Sequence, residues 1–423
     1  MSQLIEILKS ERGKKAGVAV LMAGFSAMFF FCGYEFVRSP IESIFLKYWD
    51  ATAKPYAVAF VPVMMAALIY GYGILLSRLG AKKSMLLSMA ISSVVLLLSW
   101  LFLDKAGKWL VFLVLIFKES YSVVICEQYW SFINSTLKDS ESKIFNGPVA
   151  GISALGPLIG GWIIAHYAAK LGTDHFLLFA ALSIIPAYIL AKLAYERGGE
   201  PKPSEDEKSG KKGHLHISLL WENKTVMFIA MIIFSTQVVG TLLDFRWSQL
   251  VQGAIPSVDE RTAYFGSFWM KVNIFSFVMQ FFFTPIILKN VSRRLVLIIV
   301  PAIHVITCLA LLFVPTMGVA ACAFLLFKGI DYSLYRATKE TLYIPLPYDV
   351  RFRAKQVADA FMYRFAKGTT ATVLSVLGLN GIKVLPAMFP GVSALFAAIW
   401  LGLSFPLTAN KKEPAEGPAN AKF

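Results

Sequence analysis

The chain has 423 residues, of which 57% are hydrophobic and only 16% charged, and Phe alone occurs 34 times. Soluble domains carry nearer a quarter of charged residues, so the composition excludes an ordinary soluble enzyme and points to a protein whose first partner is the lipid bilayer. The net charge of +15 invites a nucleic-acid reading, but the Lys and Arg residues fall in short segments between apolar runs, which argues against nucleic acid as a partner.

A membrane-crossing helix needs about 20 mostly apolar residues. The first apolar run, Gly17–Val37, follows a basic segment and lacks a small-residue cleavage pattern, so it reads as a first span with no cleavable signal. In chain order the spans Pro55–Leu76, Ser84–Leu103, Trp109–Ile133, Ile144–His166 and Phe176–Ala194 follow. The stretch from Glu196 to Ser218, with Pro201, Pro203 and mixed charge, reads as a solvated linker. Six more spans come after it: Val226–Asp244, Tyr264–Leu288, Leu295–Phe313, Val319–Tyr335, Val357–Leu379 and Leu385–Leu407. The predicted organisation is an all-α integral membrane protein of twelve transmembrane helices in two six-helix bundles, residues 1–195 and 223–409, joined by a linker at 196–222 and followed by a tail at 410–423. The four cysteines, Cys32, Cys126, Cys308 and Cys322, lie inside apolar runs without metal-ligand spacing and read as buried thiols.

Lys and Arg in the loops set orientation. Lys9, Arg12, Lys14 and Lys15 precede the first span; Arg78, Lys82 and Lys83 follow the second; Lys289, Arg293 and Arg294 follow the eighth; Arg351, Arg353 and Lys355 follow the tenth. The alternate loops hold only Lys47, Lys54, Lys105, Lys108, Lys170, Arg261 and Lys383. Both termini and the linker are therefore expected in the cytoplasm, and the cell membrane is the expected location.

The two halves echo each other. Phe117-Lys118-Glu119-Ser-Tyr121-Ser122 in span four is answered, with a gap, by Phe327-Lys328-Gly-Ile-Asp331-Tyr332-Ser333 in span ten. Six plus six helices with parallel repeats is the architecture of the major facilitator superfamily. The loop Gly73-Ile-Leu-Leu-Ser77-Arg78-Leu-Gly80-Ala-Lys82-Lys83 resembles that superfamily's Gly-x-Leu-x-Asp-Arg-x-Gly-Arg-Lys motif, with Ser77 where Asp is usual. Gly73, Arg78 and Gly80 are candidate gating residues on this basis, and Arg364 in span eleven joins them.

Ionisable side chains at membrane depth cost at least about 2.5–3.5 kcal/mol on insertion scales and usually face a wet cavity or a partner. Lys328, Asp331, Tyr335 and Lys339 step by three, four and four residues and would share one stripe of an α-helix. Glu119, Ser122, Cys126 and Trp130 do the same in span four, while Asp244, Arg246, Lys271, Asp359, Arg364 and Lys367 add charge elsewhere. Several cations beside a few carboxylates suit an anionic, phosphate-bearing solute. Lys118–Glu119, Lys328–Asp331 and Asp244–Arg246 read equally well as structural ion pairs. Glu35 and Arg38, near the predicted end of span one, read equally as snorkelling side chains. Tyr34, Tyr121, Trp130, Phe245 and Trp247 are candidates to stack on a base, or simply packing. No catalytic triad, phosphate-binding Gly-rich loop or metal-ligand spacing is present in the sequence, so the reading is a carrier that is not an enzyme and takes no cofactor.

The stretch Tyr332-Ser-Leu-Tyr-Arg336-Ala-Thr338-Lys339-Glu340-Thr-Leu-Tyr343-Ile-Pro345-Leu346 resembles the ATP/ADP translocases of plastids and intracellular bacteria, whose pattern is Tyr-Ser-Leu-Phe-Asp-Pro-Thr-Lys-Glu followed by Tyr-Ile-Pro-Leu. Leu243-Asp244-Phe-Arg-Trp247-Ser-Gln249-Leu250 and the run from Glu119 through Trp130, Phe132 and Asn134 are similar to two further motifs of the family. The resemblance implies a nucleotide exchanger whose acidic positions are Glu119 and Asp244 and whose Thr-Lys-Glu lysine is Lys339. It also implies departures: Ile41 stands where the family has a lysine, and Arg336 where it has Asp. The candidate substrate-binding residues are thus Arg38, Lys118, Glu119, Asp244, Lys328, Asp331, Arg336 and Lys339. The expected function is alternating-access transport of nucleotides or a related phosphorylated anion by a monomer. A carrier of a non-nucleotide anion, or a non-transporting receptor on the same fold, remains the alternative.

Overall fold

The computed structural model describes residues 10–200, 223–343 and 362–409. Residues 201–222 of the expected linker, the tail 410–423, and Arg351, Arg353, Lys355 and Asp359 lie outside them.

Every regular element among the described residues is helical. In chain order these are α1 (Glu11–Tyr48), α2 (Lys54–Ala59), α3 (Val61–Thr136), α4 (Asp139–Leu171), α5 (His175–Gly198), α6 (Lys224–Ala254), α7 (Val258–Val278), α8 (Thr284–Asn290), α9 (Arg293–Phe313), α10 (Met317–Ile330), α11 (Arg336–Tyr343), α12 (Tyr363–Leu379) and α13 (Met388–Ala409). Two π turns, Met279–Phe283 and Asp331–Tyr335, join α7 to α8 and α10 to α11 without ending the helix. Among the described residues, nine helices are long and apolar enough to cross a membrane.

Several boundaries differ from the sequence expectation for physical reasons. Ser10 caps α1 by accepting a hydrogen bond from the Gly13 N–H at 3.0 Å. The helix then runs 38 residues, through Pro40, and stops only at Tyr48. An interior proline removes one backbone hydrogen bond and usually ends a helix, but neighbouring helices re-satisfy such sites within membranes. Glu35 and Arg38 are therefore inside α1, and Glu35 is only 1% exposed, which excludes snorkelling for it. The 76-residue α3 is broken at Gly80 (φ 77°, ψ 174°) and Gly107 (φ 60°, ψ −148°), conformations that only glycine adopts readily, and these breaks separate three apolar segments.

Contacts group the chain into two compact units. The first holds the described residues of Met1–Gly213, Ser248–Phe277 and Ala371–Gly381; the second holds those of His214–Trp247, Val278–Thr370 and Ile382–Phe423. In the first, α1 packs along both α4 and α5. The approach to α4 is a backbone contact: a Cβ on Gly160 would lie 2.7 Å from the Cys32 carbonyl oxygen, and one on Gly156 would strike the Met28 carbonyl. Such small-xxx-small spacing lets two helices gain dispersion contact where lipid offers no hydrophobic drive. Trp49, Phe60, Trp109 and Phe112 cluster where α1 ends and α3 breaks, with the Trp49 indole donating to the Lys108 carbonyl at 2.6 Å. Aromatic residues of this kind favour the lipid–water boundary. In the second unit α9 packs on α13 around Phe327, His304, Trp400 and Tyr335.

Candidate functional site

The first unit holds a buried group of charges. Glu42 on α1 receives Lys54, at the start of α2, on Oε1 and Lys118 of α3 on Oε2, the latter at 3.5 Å. Lys118 also reaches Glu119 at 2.9 Å. Ser248 of α6 accepts from Lys54 at 2.8 Å and donates to Glu42 at 3.4 Å. Lys54, Lys118 and Glu42 are all buried. At an effective dielectric of about 20, a pair 4 Å apart attracts by about 4 kcal/mol, while desolvation costs several kcal/mol per ion. The cluster is therefore neutral to stability only while every member is present.

Around it, the segment 248–262 is tied to the first half of the sequence by hydrogen bonds, some of them from charged side chains. The Gln252 amide donates to the Leu46 carbonyl at 2.8 Å and accepts from the Ala51 N–H at 2.9 Å. Arg261 donates to the Ser43 carbonyl at 3.0 Å, and Asp259 accepts from the Thr173 N–H at 2.8 Å and from its hydroxyl at 2.5 Å. Lys54 and Arg261 are thus buried partners of this seam, not the loop charges that their positions suggested.

One turn away on α1, Arg38 lies over Trp269 of α7, its guanidinium carbon 3.1 Å from the ring centroid. Its Nη1 donates to Glu35 Oε1 at 3.3 Å, and Asn273 Nδ2 reaches the same oxygen at 3.4 Å. Ile41, where a lysine was looked for, is fully buried in the core of this unit, so residue 41 lines no cavity here.

In the second unit, Lys328 on α10 lies 5.7 Å from the centroids of Phe324 and Phe327 and 5.5 Å from that of Tyr332. Asp244, Asp331, Lys339 and Arg364 are half-buried, and Arg336 is exposed. The single stripe expected for Lys328, Asp331, Tyr335 and Lys339 does not form. The π turn Asp331–Tyr335 holds an extra residue, which shifts everything beyond it by about 100°. Tyr335 instead packs edge-on against Trp400, ring centroids 4.8 Å apart. Trp247 packs on Phe324, Phe245 is buried, and Tyr121 stacks on Phe117 at 4.8 Å, so these aromatics serve packing. Trp130 is exposed, as is Cys322, which is not the buried thiol expected.

The motif Gly73–Lys83 lies where α3 breaks. Gly73 is open, Arg78 is exposed, and Gly80 sits beneath the Glu200 carboxylate. That carboxylate accepts from the Lys82 N–H at 3.2 Å, and the Lys82 ammonium pairs with Glu196 at 3.2 Å, which fastens the loop to the end of α5. Sequence reading missed Glu196 and Glu200 because they lie more than a hundred residues away. It missed Glu42, Lys54, Ser248 and Gln252 because each looks like a helix end or loop; a charge next to a long apolar run was the available signal. Among the described residues no group of ligating side chains is arranged to hold a metal.

Residues 312–404 match the family model described as TLC ATP/ADP transporter. The resemblance to the ATP/ADP translocases holds. The chain is 24% identical over 284 residues to ADP,ATP carrier protein 1 of Rickettsia conorii, covering 58% of this chain and 57% of that one. It is 25% identical over 334 residues to ADP,ATP carrier protein 1 of Chlamydia muridarum, covering 69% and 62%. The chain thus spans less than two thirds of the length of these relatives. Among solved structures, a bacterial homologue of the iron transporter ferroportin, in an inward-facing state, superposes with a TM-score of 0.67 at 12% identity over 94% of this chain and 99% of its own. A nucleoside transporter superposes with a TM-score of 0.56 at 14% identity over 95% and 99%. These likenesses show the fold, that of polytopic transporters, and the chain is a multi-pass membrane protein.

Proposed function

We propose that this protein is a secondary transporter, and not an enzyme, that moves nucleotides or a related phosphorylated anion by alternating access. The observation that carries the reading is the family match at 312–404, which includes Lys328, Asp331, Arg336 and Lys339. Arg38, Lys118, Lys328, Arg336 and Lys339 would attract the phosphate groups; Glu119, Asp244 and Asp331 would hold those cations in place between cycles. Twelve spans in two six-helix bundles, 1–195 and 223–409, are part of the proposal. Support comes from counting the three segments of Ala51–Thr136 separately and adding the 17-residue Tyr363–Leu379 to the apolar helices. Gly73, Arg78, Gly80 and Arg364 are assigned to the gating movement, and the protein is placed in the cell membrane as a monomer with both termini in the cytoplasm.

A second reading, a carrier of a non-nucleotide anion, is favoured by the exposed Arg336, which stands where the family pattern has Asp. Uptake into proteoliposomes of labelled nucleotides, sugar phosphates and carboxylates decides between them. ATP or ADP uptake saturating at low concentration supports the first reading. Uptake of another anion alone supports the second, and no uptake of any member of the panel overturns transport itself.

A further inference from the structure

Among the described residues of the first unit, Glu35 is the buried carboxylate that neither the cluster around Glu42 nor the Arg12–Glu141 pair explains. Its Oε1 takes both available donors, Arg38 Nη1 at 3.3 Å and Asn273 Nδ2 at 3.4 Å, while its Oε2 is buried and meets no hydrogen-bond donor. The groups around it come from four helices. α1 contributes Cys32, Tyr34 and Arg38; α3 contributes Tyr121 and Lys118, whose ammonium already serves Glu42 and Glu119; α7 contributes Asn273 and Trp269. On α4, Gly160 brings bare backbone, since a Cβ there would stand 3.0 Å from that of Glu35. A buried carboxylate is held as an anion by two or three charge-assisted donors shared over both oxygens. Here one oxygen has two donors and the other has none.

Resting on the transport reading above, we infer that Glu35 is a proton-carrying site that couples the anionic substrate to a proton. A proton taken from water on one side of the membrane binds Oε2, and the carboxyl becomes neutral. The hold of Glu35 on Arg38 weakens, and the guanidinium turns its positive charge to a substrate phosphate. Anion and proton are thereby bound together. After reorientation the phosphate leaves, Arg38 pairs again with Oε1, and the proton is released from Oε2 to water on the other side. One proton enters and one leaves, with no other reactant. The scheme makes the protein a symporter for its anion.

The test uses purified full-length protein in liposomes loaded with a pH-sensitive dye, with the membrane potential clamped at zero and ATP as the probe. Wild type is expected to acidify the lumen when ATP is added outside. An outside one pH unit more acid should accumulate labelled ATP about tenfold, as one proton per nucleotide requires. Glu35→Gln should still exchange external for internal labelled ATP at a measurable rate, yet give no dye response and no accumulation. Glu35→Asp should recover part of the dye response, which separates loss of the titrating group from loss of packing. Nucleotide uptake by wild type without protons, or a dye response preserved in Glu35→Gln, overturns the proposal. Infrared difference spectra of the detergent-solubilised protein between pH 5 and pH 8 need no transport: a carboxylic C=O band should titrate in wild type and be missing in Glu35→Gln. Absence of that band from wild type overturns the proton site. Its presence without uptake of any nucleotide retains the site and overturns the transport reading.

Discussion

Glu42 is the residue on which the ammonium groups of Lys54 and Lys118 converge. Glu42→Gln removes the carboxylate that these two buried lysines share. Breaking a buried pair from one side costs about 3–5 kcal/mol, and thermal unfolding in detergent should show a loss of that order. Lys54→Met removes a charge but leaves Glu42 to Lys118, so it should cost clearly less; an equal loss would mean that the two lysines are not alternatives for one carboxylate. Ile41→Lys would place an unpaired charge in a fully buried position. It should lower the yield of folded protein, not widen the substrate range; a well-folded variant with new preference for ATP would show that residue 41 does reach the ligand. Lys339 is half-buried in α11 and carries the Thr-Lys-Glu motif. Lys339→Ala should abolish uptake while the protein still elutes as a folded species, and Lys339→Arg, which keeps charge but changes donor geometry, should be weak. Wild-type uptake by Lys339→Ala would remove the phosphate role from this residue.

At the scale of elements, composition and hydropathy were enough to locate the apolar helices, because about 20 apolar residues in a row have few other uses. Their ends were less legible. Pro40 reads locally as a stop, yet packing of α1 against α4 and α5 carries the helix on to Tyr48. The breaks at Gly80 and Gly107 were legible as loops between spans, since each glycine sits in a charged interval. The candidate site was legible as a set of residue types but not as an arrangement. Lys118 and Glu119 are sequence neighbours, whereas Glu42, Lys54 and Ser248 meet them only through tertiary packing. The closeness of α1 and α4 gives its own test. Gly156→Ile would push a branched side chain into the Met28 carbonyl, and overpacking of this kind costs about 1–3 kcal/mol or more. Its melting temperature should fall, while Gly147→Ile on the same helix, with open space around it, should change it little.

For the whole molecule, orientation rests on the uneven loop charges, with Lys54 and Arg261 now removed from the sparse side because both are buried partners of the polar seam. Their removal sharpens the bias. Reporter fusions after Ala194 and after Thr408 should both signal cytoplasm, and an external signal at either point would overturn the topology. The seam at 248–262 would bear on the proposed transport cycle. Any opening that parts this segment from α1 must break the bonds of Gln252 to Leu46 and of Arg261 to Ser43, each worth about 0.5–1.5 kcal/mol net, or more where charged. A molecule that cycles through such an opening needs compensating bonds in its other state.

The π turn at Asp331–Tyr335 also falls at the gap between the two similar stretches of spans four and ten. Phe117-Lys118 and Ser122 are separated by one residue fewer than Phe327-Lys328 and Ser333, and the first copy runs there as unbroken α-helix while the second makes its π turn. A π turn is how a helix absorbs one added residue without unwinding. The one-residue mismatch between the two stretches thus coincides with a local bulge that the helix holds at Asp331–Tyr335. Deleting Ile330 should restore regular α-helix across the turn and bring Lys339 back by about 100° toward the side that Lys328 occupies.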